Sequence, residues 1–193
     1  MRIISGSAKG RQLKTFSGQT IRPTSDRVRE ALFSILSSQL GGPAAFNGLS
    51  VLDIFAGSGA LGLEALSRGA ARAVFVDQGK QAQKLILDNA RLCRLESQCR
   101  VISRPAKEAI TELAGQQFDL IFLDPPYGQG LLPQVIEKIS AASLLASAGL
   151  ICAEERRGEA VPEQIGRYSC LDQRHYGQTS IYLYHHSNGE LNP

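Results

Sequence analysis

The chain has no run of about 18 or more uninterrupted apolar residues, the length a membrane-spanning helix requires. Its start, Met1-Arg2-Ile3-Ile4-Ser5-Gly6-Ser7-Ala8-Lys9, lacks the apolar core of a secretion signal. A cytoplasmic protein with no membrane partner is expected. Cysteine is sparse: Cys93, Cys99, Cys152 and Cys170 form no Cys-x-x-Cys pair, and two of them lie inside apolar runs, which argues against a zinc site and a disulfide framework. His175, His185 and His186 have no partner at metal-ligand spacing, so no metal is expected. There is no internal repeat and no low-complexity segment, and 193 residues leave little room for a separate DNA-recognition domain. What is present, 43% apolar residues, suffices for one well-buried core. One main domain is expected, and nothing calls for an obligate dimer, so a monomer is anticipated.

Charge is nearly balanced overall but not along the chain. Residues 1–30 hold Arg2, Lys9, Arg11, Lys14, Arg22, Arg27 and Arg29 against Asp26 and Glu30, a net +5 in a chain whose total is +3. A basic end on a near-neutral body is the electrostatic footprint of a polyanion binder, because Lys and Arg contacts to phosphates dominate nucleic-acid affinity. An ordinary solvated surface explains charge alone equally well.

Patterning divides the chain into a basic β-hairpin extension over residues 1–23, a main domain over 24–186 and a polar tail over 187–193. Gly6, Gly10 and Gly18 break the first segment into short alternating pieces. Pro23 ends it, and Thr24, Ser25 and Asp26 offer caps for a helix with apolar Val28, Leu32, Ile35, Leu36 and Leu40 at spacings of three and four. Strands then alternate with helices: strands at 50–54, 73–76, 100–103, 118–123 and 150–153, helices at 60–68, 79–93, 106–114 and 130–145. Such alternation predicts a Rossmann-like α/β fold, a mostly parallel sheet with helices on both faces. Segments 167–173 and 179–185 flank a Tyr176-Gly177 turn and close the sheet with an antiparallel pair. Asn89, on the apolar face of its helix, reads as a satisfied core amide.

Two constellations carry chemistry. Phe118–Leu123 reads as a buried strand followed by Asp124-Pro125-Pro126-Tyr127. An acid, two prolines and an aromatic ring at a strand's carboxyl end present a rigid, polar, flat surface where open α/β sheets bind ligands, suited to a planar group bearing an amino nitrogen. The second is Asp53-Ile54-Phe55-Ala56-Gly57-Ser58-Gly59-Ala60-Leu61-Gly62, with Asp77 twenty residues beyond Gly57. Read literally it contains the dinucleotide fingerprint, which makes a nicotinamide-dependent oxidoreductase a rival. Against that rival, an acid at Asp53 would repel a pyrophosphate, and the Asp-Pro-Pro-Tyr tetrad has no task in hydride transfer. S-adenosylmethionine, an adenosine ending in a sulfonium and an amino acid, suits both acids: Asp53 near the amino-acid end, Asp77 on the ribose hydroxyls. Candidate cofactor contacts are Asp53, Phe55, Ala56, Gly57, Ser58, Gly59 and Asp77. A binding-only module is a weaker reading.

The arrangement resembles class I S-adenosylmethionine-dependent methyltransferases that act on amines. More narrowly, Arg22-Pro23-Thr24-Ser25-Asp26-Arg27-Val28-Arg29-Glu30-Ala31-Leu32-Phe33, the stretch Asp53–Gly69, the tetrad Asp124–Tyr127 and Tyr176-Gly177-Gln178-Thr179 resemble the RsmD family of bacterial 16S ribosomal RNA guanine-N2 methyltransferases. The resemblance runs from about Arg2 to Tyr184. It implies a seven-stranded sheet with one antiparallel strand and methylation of one guanine of 16S rRNA, in an assembled or partly assembled small subunit. It places Asp124, Pro125, Pro126 and Tyr127 at the catalytic site, and S-adenosylmethionine as cofactor. Lys9, Arg11, Arg22, Arg27 and Arg29 are the RNA-binding candidates, with Arg156 and Arg157 as further ones. DNA adenine-N6 or protein glutamine methylation is the alternative within the same chemistry. One departure is visible: after the third strand the chain reads Arg104-Pro105-Ala106-Lys107, without the acid many relatives use for adenine, which leaves backbone groups near Ala106 for that contact.

Overall fold

A computed structural model describes residues 1–16, 26–42 and 44–187. The hydrophobic periodicity of the sequence appears as α1 (Asp26–Gln39), β1 (Ser50–Ile54), α2 (Ala60–Ser67), β2 (Arg72–Val76), α3 (Lys80–Cys93), β3 (Cys99–Ile102), α4 (Ala106–Glu112), β4 (Phe118–Leu123), α5 (Leu131–Ala141), β5 (Leu145–Arg156), β6 (Gln164–Ile165), β7 (Tyr168–Tyr176) and β8 (Thr179–His186). All eight strands join one sheet in the order β3-β2-β1-β4-β5-β8-β7-β6. Strands β1 to β5 pair in parallel, and β8 runs antiparallel to both β5 and β7. The expected sheet is therefore present, with the two-residue β6 added at its outer edge. Among the described residues no helix is long and apolar enough to cross a membrane.

Side chains of adjacent strand residues point to opposite faces, and the core divides accordingly. Val51, Phe75, Leu120, Phe122, Cys152, Ile181 and Leu183 join α1, α2 and α3 on one face. Leu52, Ile54, Val74, Val76, Ile121, Leu123, Ile151 and Ala153 join α4 and α5 on the other. Asp53 has the parity of Val51, so this acid stands on the α1–α3 face at 2% exposure.

Two expectations need correction. Residues 1–16 do not form an extension apart from the core: Ile3, Ala8 and Leu13 are buried within the α1–α3 side. The chain doubles back through Ile3 N–H to Arg11 O and Leu13 N–H to Met1 O, as a hairpin does, but its tip is bound to α2. Buried Glu64 of α2 accepts N–H groups of Ile4 at 2.7 Å and Ser5 at 3.0 Å, and the Ser67 hydroxyl oxygen accepts that of Ala8 at 2.9 Å. Alternating patterning could not reveal these partners because they lie about 60 residues away in sequence.

Strand β5 is the second. It spans Leu145–Arg156, not the four residues whose apolarity marks it. Its added end, Glu154-Glu155-Arg156, has no hydrophobic signal and is held by backbone pairing with Ile181, Ser180 and Thr179 of β8. The helix before it stops at Ala141, and Ser143 at φ 53° turns the chain into the strand.

Candidate active site

The strand order changes direction between β1 and β4, and the loops after those strands meet there, as expected for ligand sites of open α/β sheets. Asp53 pairs in register with Phe122, and Phe122 with Cys152. Asp124 directly follows β4 and Glu154 lies two residues beyond Cys152 in β5, which gathers Asp53, Asp124 and Glu154 at the carboxyl ends of three neighbouring strands.

The glycine loop after β1 makes a turn that needs unusual backbone angles. Phe55 has φ 65° and Gly57 φ 54°, both in the left-handed region, which a phenylalanine occupies only where the surroundings enforce it. A Cβ on Gly57 would have nothing nearer than 3.9 Å, from Phe16 and the Phe55 carbonyl, so space stands open beside the loop. Gly62 is required for a different reason: a Cβ there would collide with the Phe75 ring. Asp53 receives the Gly62 N–H at 2.9 Å, and Asp77 receives Gly57 N–H at 2.9 Å and Gly79 N–H at 2.8 Å. The two acids thus bind the loop's own backbone. Asp77 stays partly exposed and, since a carboxylate has about four acceptor sites, keeps capacity for a ligand hydroxyl.

Burial pushes the Asp53 carboxyl up to about 7, against the Gly62 hydrogen bond and with help from Asp77. Its folded value exceeds the unfolded one, so its contribution to stability is complete below about pH 4 and is lost as pH rises to about 7. Asp53→Asn should remove this slope and raise stability at pH 8 relative to pH 4 by on the order of 4 kcal/mol compared with the wild type. Urea titrations at the two pH values measure it; an unchanged slope contradicts the assignment.

The tetrad after β4 places Pro125 in the interior and Tyr127 at 40% exposure. The Tyr127 hydroxyl donates to Glu154 Oε1 at 2.6 Å and lies 3.3 Å from Thr179 Oγ1. Burial, then Glu154, raises the Tyr127 phenol above its ordinary value. The Asp124 carboxyl is raised well above the usual carboxylate range, first by burial, then by the charges of Glu154, Asp53 and Glu155. Glu154 was not legible as a site residue, because no spacing rule links it to Asp124 without the β4–β5 register.

Ala106 opens α4 and is partly buried. Of the basic candidates, Lys9, Arg11 and Arg27 are exposed, as are Arg156 and Arg157, while Arg22 lies outside the described residues. Arg29 is a correction. At 1% exposure it is buried with Leu32, Phe33 and Leu36, and its guanidinium donates to the Arg2 carbonyl at 2.5 Å and to Asp26 at 2.8 Å. Helical spacing turns it inward, where it joins the amino-terminal segment to α1 instead of facing RNA. Asn89, fully buried, extends that linkage to the glycine loop. Its amide bonds Lys14 N–H and C=O at 2.8 and 3.0 Å and the Ser58 carbonyl at 2.9 Å.

Sheet order and the paired loops define the class I methyltransferase fold. A solved structure described as the putative methyltransferase yhhF from Escherichia coli superposes with a TM-score of 0.83 at 33% identity, over 96% of this chain and 97% of that one. The chain belongs to the RsmD family, whose model, described as "Conserved hypothetical protein 95", matches residues 1–185. Its relatives include the putative rRNA methyltransferase YlbH of Bacillus subtilis, 38% identical over 95% of this chain and 98% of that protein. Ribosomal RNA small subunit methyltransferase D of Escherichia coli is 34% identical over 95% and 89%.

Proposed function

We propose that this protein transfers a methyl group from S-adenosylmethionine to the exocyclic N2 amine of a guanine in 16S rRNA. The observation that carries the reading is the meeting of the Asp124–Tyr127 tetrad with the glycine loop at the β1–β4 switch point. The names borne by relatives that share nearly the whole chain support the rRNA substrate.

The residues fit such a cofactor: open space beside Gly57, spare acceptor capacity on Asp77 and a buried acid at Asp53. Phe55, Ala56, Gly57, Ser58 and Gly59 would form the cradle, Asp77 would receive the ribose hydroxyls, Asp53 would lie toward the amino-acid end and backbone near Ala106 would meet the adenine. S-adenosylmethionine, when bound, supplies an electrophilic methyl carbon on sulfur.

A guanine amine is a weak nucleophile because its lone pair is delocalised into the ring. The Asp124 carboxylate and the Pro125 carbonyl accept its N–H groups, which frees and aims that pair, while Tyr127 stacks on the base, a contact worth roughly 1–3 kcal/mol. Pro125 and Pro126 hold the acceptors in place before the base arrives. Swinging a base out of folded RNA costs a few kcal/mol and least in a loop, so a loop guanine of the small subunit, assembled or partly assembled, is the natural target. The protein acts as a monomer in the cytoplasm.

Calorimetry separates this reading from the dinucleotide one: S-adenosylhomocysteine should saturate the protein and NAD should not, whereas saturation by NAD alone overturns the proposal. Exposed Lys9, Arg11 and Arg27 touch RNA phosphates in this account. Lys9→Ala with Arg11→Ala should weaken RNA binding and lower the slope of log affinity against log salt by about one for each phosphate no longer neutralised. An unchanged slope places the RNA elsewhere.

A further inference from the structure

We propose that Glu154 is a positioning residue for methyl transfer: its carboxylate, together with the Thr179 hydroxyl, holds the Tyr127 phenol so that the ring stands ready for the incoming base. This rests on the reading in which Tyr127 stacks on that base. Tyr127 and Leu92 are the exposed large hydrophobic residues among those described. The Tyr127 ring sits on a loop at 40% exposure, and its polar end adds a restraint on its orientation. That end is held from two further strands. The hydroxyl donates to Glu154 at 2.6 Å, within the range of a charge-assisted O–H···O⁻ bond, and Thr179 Oγ1 lies 3.3 Å from it and 3.5 Å from Glu154 Oε1.

Both partners are firmly mounted. Glu154 is 7% exposed within β5, with Ala153 and Glu155 paired to Tyr182 and Ser180 of β8 on either side. Thr179 is the first residue of β8, immediately beyond the tight turn at Gly177, whose φ is 61°. The Tyr127 ring is thus spanned between the β4 exit and the β5–β8 pair. Fixing it before RNA arrives removes the cost of ordering a side chain on binding, so the benefit is read as tighter substrate binding. Because the base stacks in both ground and transition states, that benefit falls on substrate affinity more than on the chemical step.

The test is a double-mutant cycle read as KM for RNA, kcat and the Kd of S-adenosylhomocysteine. At a pH on the upper plateau of the Asp124 profile, where losing the Glu154 charge no longer changes the protonation of Asp124, Glu154→Ala and Tyr127→Phe should each raise KM about three- to tenfold, with kcat reduced less than about threefold and the Kd unchanged. The double variant should be no worse than either single one. Glu154→Gln, which retains a carbonyl acceptor, should recover most of the loss. Multiplying losses in the double variant overturn the proposal, because Glu154 then acts on something other than the phenol. Tyr127→Phe with wild-type KM also overturns it, and this variant decides the matter if Glu154→Ala does not fold. Tyr127→Ala separates the underlying reading: a wild-type KM there removes base stacking itself, whereas a large rise beside a harmless Tyr127→Phe removes only the part assigned to Glu154.

Discussion

Asp124→Ala should lower methyl transfer by about 10²–10³-fold while S-adenosylhomocysteine affinity stays within about threefold of the wild type, since one preorganised acceptor at the reacting group carries an effect of that size. The asymmetry follows from position. Asp124 follows β4, whereas the cradle assigned to the cofactor follows β1 and β2 and is held by Asp53 and Asp77 on its own backbone. Asp124→Asn retains one oxygen acceptor and should retain more activity than alanine. Burial and three neighbouring acids hold the Asp124 carboxyl above its ordinary range, so lowering the pH protonates it before an ordinary carboxylate would be and removes acceptor capacity. Wild-type turnover should therefore rise with pH through that raised value, and Asp124→Asn should lose this limb of the profile. Equal losses of turnover and cofactor affinity would put Asp124 in the wrong role.

Glu64→Ala should destabilise the fold by about 3–5 kcal/mol, with a fall in Tm of roughly 10 °C. Glu64 is fully buried and receives the Arg68 guanidinium at 2.8 Å in addition to the N–H groups of Ile4 and Ser5. Alanine leaves two backbone donors and a largely buried guanidinium without their acceptor. The amides of Ile4, Ser5 and Ala8 should then exchange with solvent faster than those of the sheet, because the amino-terminal segment is released from α2 first. Thermal melts and hydrogen exchange measure both effects. A Tm within about 2 °C of the wild type contradicts the role assigned to Glu64.

The parts of this molecule that could be read from sequence are those whose signal is local. Apolar periodicity located the five α-helices among the described residues, and the strand alternation gave the sheet that sets β1 beside β4. What escaped depends on residues distant in the chain. Glu64 looks like one more polar residue of α2 until Ile4 and Ser5 arrive at it. Glu154 lies beyond the apolar part of β5, so only pairing with β8 shows that the strand continues to it and brings it beneath Tyr127. Arg29 shows the converse: charge composition assigns it to the solvent, but helix phase with Leu32, Phe33 and Leu36 buries it. Charge is a guide to partners only after the faces of the fold are known.

In the proposed reaction the tetrad would present a guanine amine to a methyl donor held by the glycine loop. The most direct measurement incubates the protein with small subunits whose rRNA lacks the modification and with S-adenosylmethionine carrying a deuterated methyl group, followed by mass spectrometry of the nucleosides. Deuterated N2-methylguanosine at a single 16S position, absent with Asp124→Ala, is the predicted result. Label on adenine N6, on a ribosomal protein or on no product would contradict the account.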